Sequence, residues 1–222
     1  MTRAILFDLF NTLIASGDRR RAITVREMGA TLGVEPDAFG QAFVRTWHER
    51  MVGTLGDLAD QCRTIARSVG GDPSDDQVAR AVEMRLAFNR RTIVVADATL
   101  AALASARAAG FQLAIVSNCT VDSGIILDET PLAAAVDAVV LSYRVGIAKP
   151  DTRIYEVACA AVDTPPTACV YVGDGAEQEL HGAKALGMRV YQTTQFAVTD
   201  RDWKGPRIGD IAELPGIIEQ PA

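Results

Sequence analysis

Near the start of the chain, four consecutive apolar residues, Ala4-Ile5-Leu6-Phe7, run directly into a carboxylate at Asp8. An unbroken apolar run of that length reads as a strand buried on both faces, which is how strands of a parallel sheet covered by helices present themselves. The polar residue at its carboxyl end matters because open α/β sheets bind their ligands beyond that end. The second half of the chain continues the pattern. Strands are predicted over 112–117, 138–142, 169–172 and 189–192, and helices over 99–109 and 152–161. A further helix ends near Gly187, and a short one lies near Ile211 in the tail that begins at Lys204. Alternation of this kind indicates βαβ units, so the fold class expected is α/β, a doubly wound parallel-sheet core.

Between 16 and 92 the pattern changes to helical periodicity, interrupted by Gly33-Val34-Glu35-Pro36, Gly53-Thr54-Leu55-Gly56 and Gly70-Gly71-Asp72-Pro73. Three breaks predict four helices. The expected organisation is therefore a sheet core from 1–15 and 93–222, with a four-helix subdomain inserted at 16–92. Within the insertion, Arg19-Arg20-Arg21 opens a helix. Arg45, His48 and Arg50 recur one turn apart, close to Phe43 and Trp47. This pattern fits either a proton-donating, anion-binding face or a solvated basic face with the aromatics turned inward.

Net charge excludes one class of partner. With 28 acidic against 22 basic residues the chain carries −6, whereas nucleic-acid surfaces concentrate positive charge. A small-molecule substrate is expected, with no nucleic acid and no membrane, since no apolar stretch approaches the roughly 20 residues of a span. Cytoplasmic location and a monomer or homodimer are the default expectations. Cys62, Cys119, Cys159 and Cys169 are scattered without a CxxC pair, and His48 and His181 are the only histidines, so reduced buried thiols are expected rather than zinc or a disulfide framework.

Four segments carry a resemblance. Ile5-Leu6-Phe7-Asp8-Leu9-Phe10-Asn11-Thr12-Leu13, Ile115-Val116-Ser117-Asn118, Lys149-Pro150-Asp151 ahead of a helix, and Val172-Gly173-Asp174-Gly175 followed by Glu179 resemble, in order, the four motifs of the haloacid dehalogenase superfamily. The resemblance implies that the insertion is a helical cap, that Asp8 is a covalent nucleophile, and that Mg²⁺ is the cofactor. Thr12, Ser117 and Asn118 would bind a phosphoryl group or hold its loop, and Lys149 would offset charge on Asp8 and the transferring group. Asp8, the Phe10 carbonyl, Asp174 and Glu179 would ligate the metal, with Glu177 competing for the place of Glu179. This division of labour is chemically sound, because a carboxylate attacking an anionic phosphoryl group needs cations and donors on both partners.

One position departs from the pattern. Phosphatases of the superfamily carry a second Asp two residues after the nucleophile as general acid and base, and Phe10 stands there. A phenyl ring keeps the backbone carbonyl but exchanges no proton. An aromatic residue at this point is similar to the L-2-haloacid dehalogenases, whose halide leaves without protonation. Those enzymes work without metal, however, and Asp174 with Glu179 would place uncompensated charge beside Asp8 unless a cation bound. Charge balance thus favours a Mg²⁺-dependent hydrolase of a small phosphate monoester acting through an aspartyl-phosphate. Hydrolysis of a carbon–halogen bond through an aspartyl ester and a catalytically silent phospho-ligand binder are the alternatives. Arg144, where relatives often carry Glu, extends an anion site or forms a surface ion pair. His48 gains interest only from the missing acid.

Overall fold

The computed structural model describes residues 3–16 and 20–218. Its core is a six-stranded sheet whose paired strands all run parallel: β1 (Ala4–Phe7), β2 (Gln112–Ser117), β3 (Ala138–Leu141), β4 (Cys169–Gly173), β5 (Arg189–Thr193) and β6 (Arg207–Ile208). The order is β3-β2-β1-β4-β5-β6. The opening apolar run is therefore the central strand, with β2 on one side and β4 on the other. The strand order reverses at its carboxyl end, where an open α/β sheet forms its ligand crevice.

Alternation along the strands explains the two-sided burial. Ile5, Phe7, Leu113, Ile115, Val170 and Val172 point to one face, and Ala4, Leu6, Ala114, Val116, Cys169 and Tyr171 to the other, each set joining a separate apolar cluster. The first face is covered by α6 (Asp97–Ala108) and α11 (Leu214–Ile218), and the second by α9 (Thr152–Ala161) and α10 (Glu179–Ala185). Each fully buried Leu, Ile or Val contributes about 1.5–3 kcal/mol over an exposed one, so this two-faced core fixes the register of every strand end. The four cysteines are free and buried, as their scatter implied. No helix among the described residues is long and apolar enough to cross a membrane.

The described residues of the insertion form five helices rather than the four expected: α1 (Arg20–Thr31), α2 (Pro36–Arg45), α3 (Trp47–Met51), α4 (Leu58–Ser68) and α5 (Asp75–Thr92). The predicted breaks fall where caps form. Glu35 accepts from the backbone of Asp37 and Ala38 ahead of Pro36, and Ser74 with Gln77 closes a capping box at the start of α5. The unforeseen break is Thr46, whose hydroxyl donates back to the Ala42 carbonyl at 3.0 Å, so that the helix stops and restarts as α3. Arg45 and His48, expected on one helix, therefore belong to two. The helices share an apolar cluster of their own built on Met28, Phe39, Ile65 and Val78.

Four smaller departures lie in the core. Ser142 was expected to end β3, but it begins α8 (Ser142–Val145). Its hydroxyl accepts from the Cys119 N–H at 2.9 Å and donates to the Met51 carbonyl at 2.6 Å, tying the insertion to the core. The two-residue β6 and the helix α7 (Val121–Asp128) carried no sequence signal strong enough to predict. Asp151 caps α9 by accepting from the Arg153 N–H, which leaves Pro150 ahead of the cap rather than in the first turn.

Candidate active site

The residue just past β1 is held by the sheet itself: the Asp8 N–H donates to the Val172 carbonyl at 2.8 Å, extending the β1–β4 ladder by one rung. Its carboxylate is 6% exposed and meets two donors, Thr12 Oγ1 at 3.0 Å on Oδ2 and Lys149 Nζ at 2.6 Å on Oδ1. Thr12, expected to donate toward a phosphoryl group, is thus engaged with the candidate nucleophile. Lys149 reaches across from the loop before α9 and also donates to Glu179 Oε2 at 2.5 Å and to the Tyr171 hydroxyl at 3.1 Å.

The loop after β4 supplies the other carboxylates. Asp174 is fully buried, accepting from the Ala176 N–H at 3.0 Å, the Asn11 amide at 3.1 Å and the Thr199 hydroxyl. Gly175 takes the left-handed conformation (φ 97°), and Glu177 and Gln178 follow at φ 52° and 59°, a costly turn for two side-chain-bearing residues. That turn returns the chain so that Glu179 faces the end of β4 and accepts from the Gly175 N–H at 2.9 Å. Gly173 makes this approach feasible, because a Cβ there would collide with the Glu179 carboxylate. Ligand oxygens of Asp8, Asp174 and Glu179 lie within 4.8 Å of one another. Glu177 is outside this group and pairs instead with the Asn118 amide.

The electrostatics follow from a count: three carboxylates surround one ammonium. Burial pushes the Asp8 carboxyl up against the pull of Lys149. Burial, reinforced by Asp8, pushes Glu179 up to about 7 despite Lys149 and the Tyr171 hydroxyl. Burial would pull Lys149 down, but Asp8 and Glu179 overcome it and hold the ammonium well above its ordinary value. The cluster is an acidic site short of about two positive charges, lined by hard oxygen donors of the kind Mg²⁺ accepts.

The second motif is organised around the lysine loop. Asn118 clamps it from both sides, accepting from the Lys149 N–H at 2.7 Å and donating to the Lys149 carbonyl at 3.0 Å. Ser117 is fully buried, and its hydroxyl has no partner among the described residues, leaving a donor available at the carboxyl end of β2. Phe10 is half-buried and lines the same cleft as Asp8, Asn118, Lys149 and Glu179, a space of about 200 Å³ whose opposite wall comes from Arg21, Trp47 and Arg85 of the insertion.

Several contributors escaped the sequence reading. Tyr171 donates to Glu179 at 2.7 Å, and Asn11 and Thr199 donate to Asp174 from 163 and 25 positions away. Arg85 did leave a signal, since it falls on the apolar stripe of α5 with Val78, Ala81 and Phe88, where a charge requires a partner. That partner is Asp122 of α7, at 2.6 Å. Of the basic residues singled out in the insertion, Arg45 and His48 are exposed, and His48 does not line the cleft, whereas Arg50 is buried against Phe43. Neither reading of that face holds as a whole. Arg144 forms an ion pair with Asp128 near the surface, an interaction of little energetic weight. Arg19 lies outside the described residues.

Comparison with known proteins gives concordant matches. The family model for haloacid dehalogenase-like hydrolases matches residues 2–187. The chain is 31% identical over 157 residues to a phosphoserine phosphatase of Thermus thermophilus, covering 68% of this chain and 61% of the relative. It is 27% identical over 192 residues to a glyceraldehyde 3-phosphate phosphatase of Methanopyrus kandleri, covering 85% and 82%. In architecture it resembles a 2-haloacid dehalogenase from Pseudomonas syringae pv. Tomato DC3000, with a TM-score of 0.71, 23% identity and 98% of each chain covered. At that identity the likeness concerns the fold.

Proposed function

Because the chain belongs to the haloacid dehalogenase-like hydrolases, we propose that it is a Mg²⁺-dependent phosphatase of small phosphate monoesters working through an aspartyl-phosphate. The observation that carries this reading is the charge count at Asp8, Asp174, Glu179 and Lys149, where three buried carboxylates face one ammonium. The remaining deficit equals a divalent cation, and these oxygens would hold one together with the Phe10 carbonyl. Bound there, the metal would neutralise charge on the phosphoryl group and its attacker.

The residues of the chain then have defined work. Thr12 and Lys149 fix the Asp8 carboxylate by one oxygen each, which sets its direction of attack on phosphorus. The P–O bond to the alcohol breaks as the Asp8–phosphorus bond forms, and water later releases phosphate from Asp8. Ser117 offers its hydroxyl to a phosphoryl oxygen, and Asn118 keeps Lys149 in place. The helices of 16–92 act as the cap, with Trp47 and Arg85 closing the cleft and excluding water. Phe10 leaves the alcohol without a proton donor at the family's usual position, which favours esters with good leaving groups or with an acid of their own.

A phosphate-release assay on a panel of monoesters tests the proposal. Wild type is expected to turn over with Mg²⁺ and to stop on chelation, and Asp8→Asn to fall to background. Release that survives Asp8→Asn or ignores Mg²⁺ sinks the mechanism. The dehalogenase reading, favoured by Phe10 alone, would require metal-free halide release from 2-haloacids in the same assay.

A further inference from the structure

The helical insertion buries more positive charge than it neutralises. Arg50 is 1% exposed and Arg85 2%, and their guanidinium carbons lie 3.6 and 5.6 Å from the centroid of the Phe43 ring. Among the described residues a single carboxylate answers them. Asp122 accepts from Arg85 Nε at 2.6 Å and from the Asn89 amide at 2.9 Å. Arg50 donates Nη2 to the Phe43 carbonyl at 2.8 Å. The Nε and Nη1 of Arg50, and the Nη1 of Arg85, find no partner among the described residues. Buried guanidinium groups with unpaired donors and an uncompensated charge are costly, and native structures retain them where a ligand completes the set.

Location gives this charge its use. Arg85 lines the cleft that contains Asp8 and Lys149, and together with Arg50 it also lines the wider groove between α1 and α2. Trp47 borders both spaces, so Arg85 stands in the wall between them. Asp122 holds this fork through Nε, and Nη1 is buried with no partner among the described residues. At about 200 Å³, the cleft has room for six or seven water molecules at roughly 30 Å³ each, enough for a phosphoryl group and a short carbon chain.

We propose that Arg85, backed by Arg50, seats a second anionic group of the substrate, so that the enzyme selects short-chain phosphate esters bearing a carboxylate or a second phosphoryl group. The proposal rests on the phosphatase reading of Asp8 and names its substrate class. A guanidinium fork recognises either anion through paired N–H donors. A site built to pair a polar group discriminates against the analogue that lacks it, because its own donors are then left unanswered. An ester with a plain alkyl chain would leave Arg85 and Arg50 in the state described above.

The test uses a matched trio on the Mg²⁺-loaded full chain: propyl phosphate, 3-phosphooxypropanoate and propane-1,3-diyl bisphosphate. One charge-assisted contact predicts that at least one of the two diacids exceeds propyl phosphate in kcat/KM by about 10- to 100-fold, chiefly through KM. Which diacid leads tells carboxylate from phosphoryl. The double variant Arg85→Met/Asp122→Asn removes both charges of the buried pair at once, and is expected to reduce the ratio to within about threefold. Arg85→Lys, which keeps charge and loses the fork, is expected to fall between. Equal kcat/KM across the trio, or a preference that survives the double variant, overturns the proposal. Calorimetric titration of Asp8→Asn with the same three compounds separates this idea from the one beneath it. Tighter diacid binding keeps the second-anion seat even if the wild type releases no phosphate from activated monoesters, an outcome that sinks the phosphatase reading alone, whereas equal affinities sink the seat.

Discussion

Replacing Asp122 with Asn preserves the shape of a buried side chain and removes the one carboxylate that Arg85 and Arg50 possess. Burial alone would push this acid up, but Arg85 and hydrogen bonds from Thr120 and Asn89 outweigh it and hold the carboxyl at about 2, against an ordinary 3.8. A depression of nearly two pH units corresponds to about 2 kcal/mol of stability from the charged form. Breaking the pair also leaves two guanidinium groups unneutralised, and loss of one partner from a buried ion pair costs about 3–5 kcal/mol. For a chain of this length each kcal/mol moves Tm by about 2–4 °C, so Asp122→Asn is expected to melt roughly 6–20 °C below wild type at pH 7. The sign in acid follows from the depressed folded-state value. The contribution is complete well above the ordinary 3.8 and is lost as pH falls through about 2, so the gap between wild type and variant narrows by about 2 kcal/mol, roughly 4–8 °C, over that window. Thermal unfolding followed by circular dichroism between pH 2 and 7 reads both effects. A variant within about 2 °C of wild type at pH 7, or a gap that does not narrow as pH falls to 2, would refute the reasoning.

Three further expectations concern the cleft. Phe10→Asp restores a proton donor where the family usually has one and is expected to raise turnover of simple alkyl phosphates by about 10²-fold or more; unchanged rates with Mg²⁺ still bound would contradict the missing-acid reading. Glu179→Gln is expected to weaken Mg²⁺ at least about tenfold by calorimetry, and Glu177→Gln much less, because only Glu179 lies in the acidic group; equal effects would remove the distinction. Ser117→Ala removes a hydroxyl that has no partner among the described residues, so stability is expected to stay within about 0.5 kcal/mol while kcat/KM falls about 10- to 100-fold; a loss of stability without a loss of activity would refute its proposed role.

The sheet and the residues at its strand ends were legible in the sequence for one physical reason. An apolar run that ends in a polar residue encodes both a buried strand and the group presented at its carboxyl end. The runs before Asp8 and up to Ser117 and Gly173 marked three strand ends, and the structure sets those strands side by side. The two-residue β6 left no such trace, being too short to carry a pattern. The restart at Thr46 turns on a single hydroxyl's choice of carbonyl, which periodicity does not record. The pairing of Arg85 with Asp122 spans 37 positions and two helices, so the sequence could reveal a misplaced charge but not its partner.

Parallel topology also dictates when this site can exist. Lys149 meets Asp8 across 141 positions, and Asn11 meets Asp174 across 163. A ribosome building the chain from its amino end would therefore release Asp8, with Thr12 close behind it, long before the lysine that balances its charge. The first strand must wait, unpaired, for β2 and then for β4, and non-local pairing of that kind slows folding. Because the acidic loop emerges after the lysine, the carboxylates are never crowded together without their ammonium during synthesis.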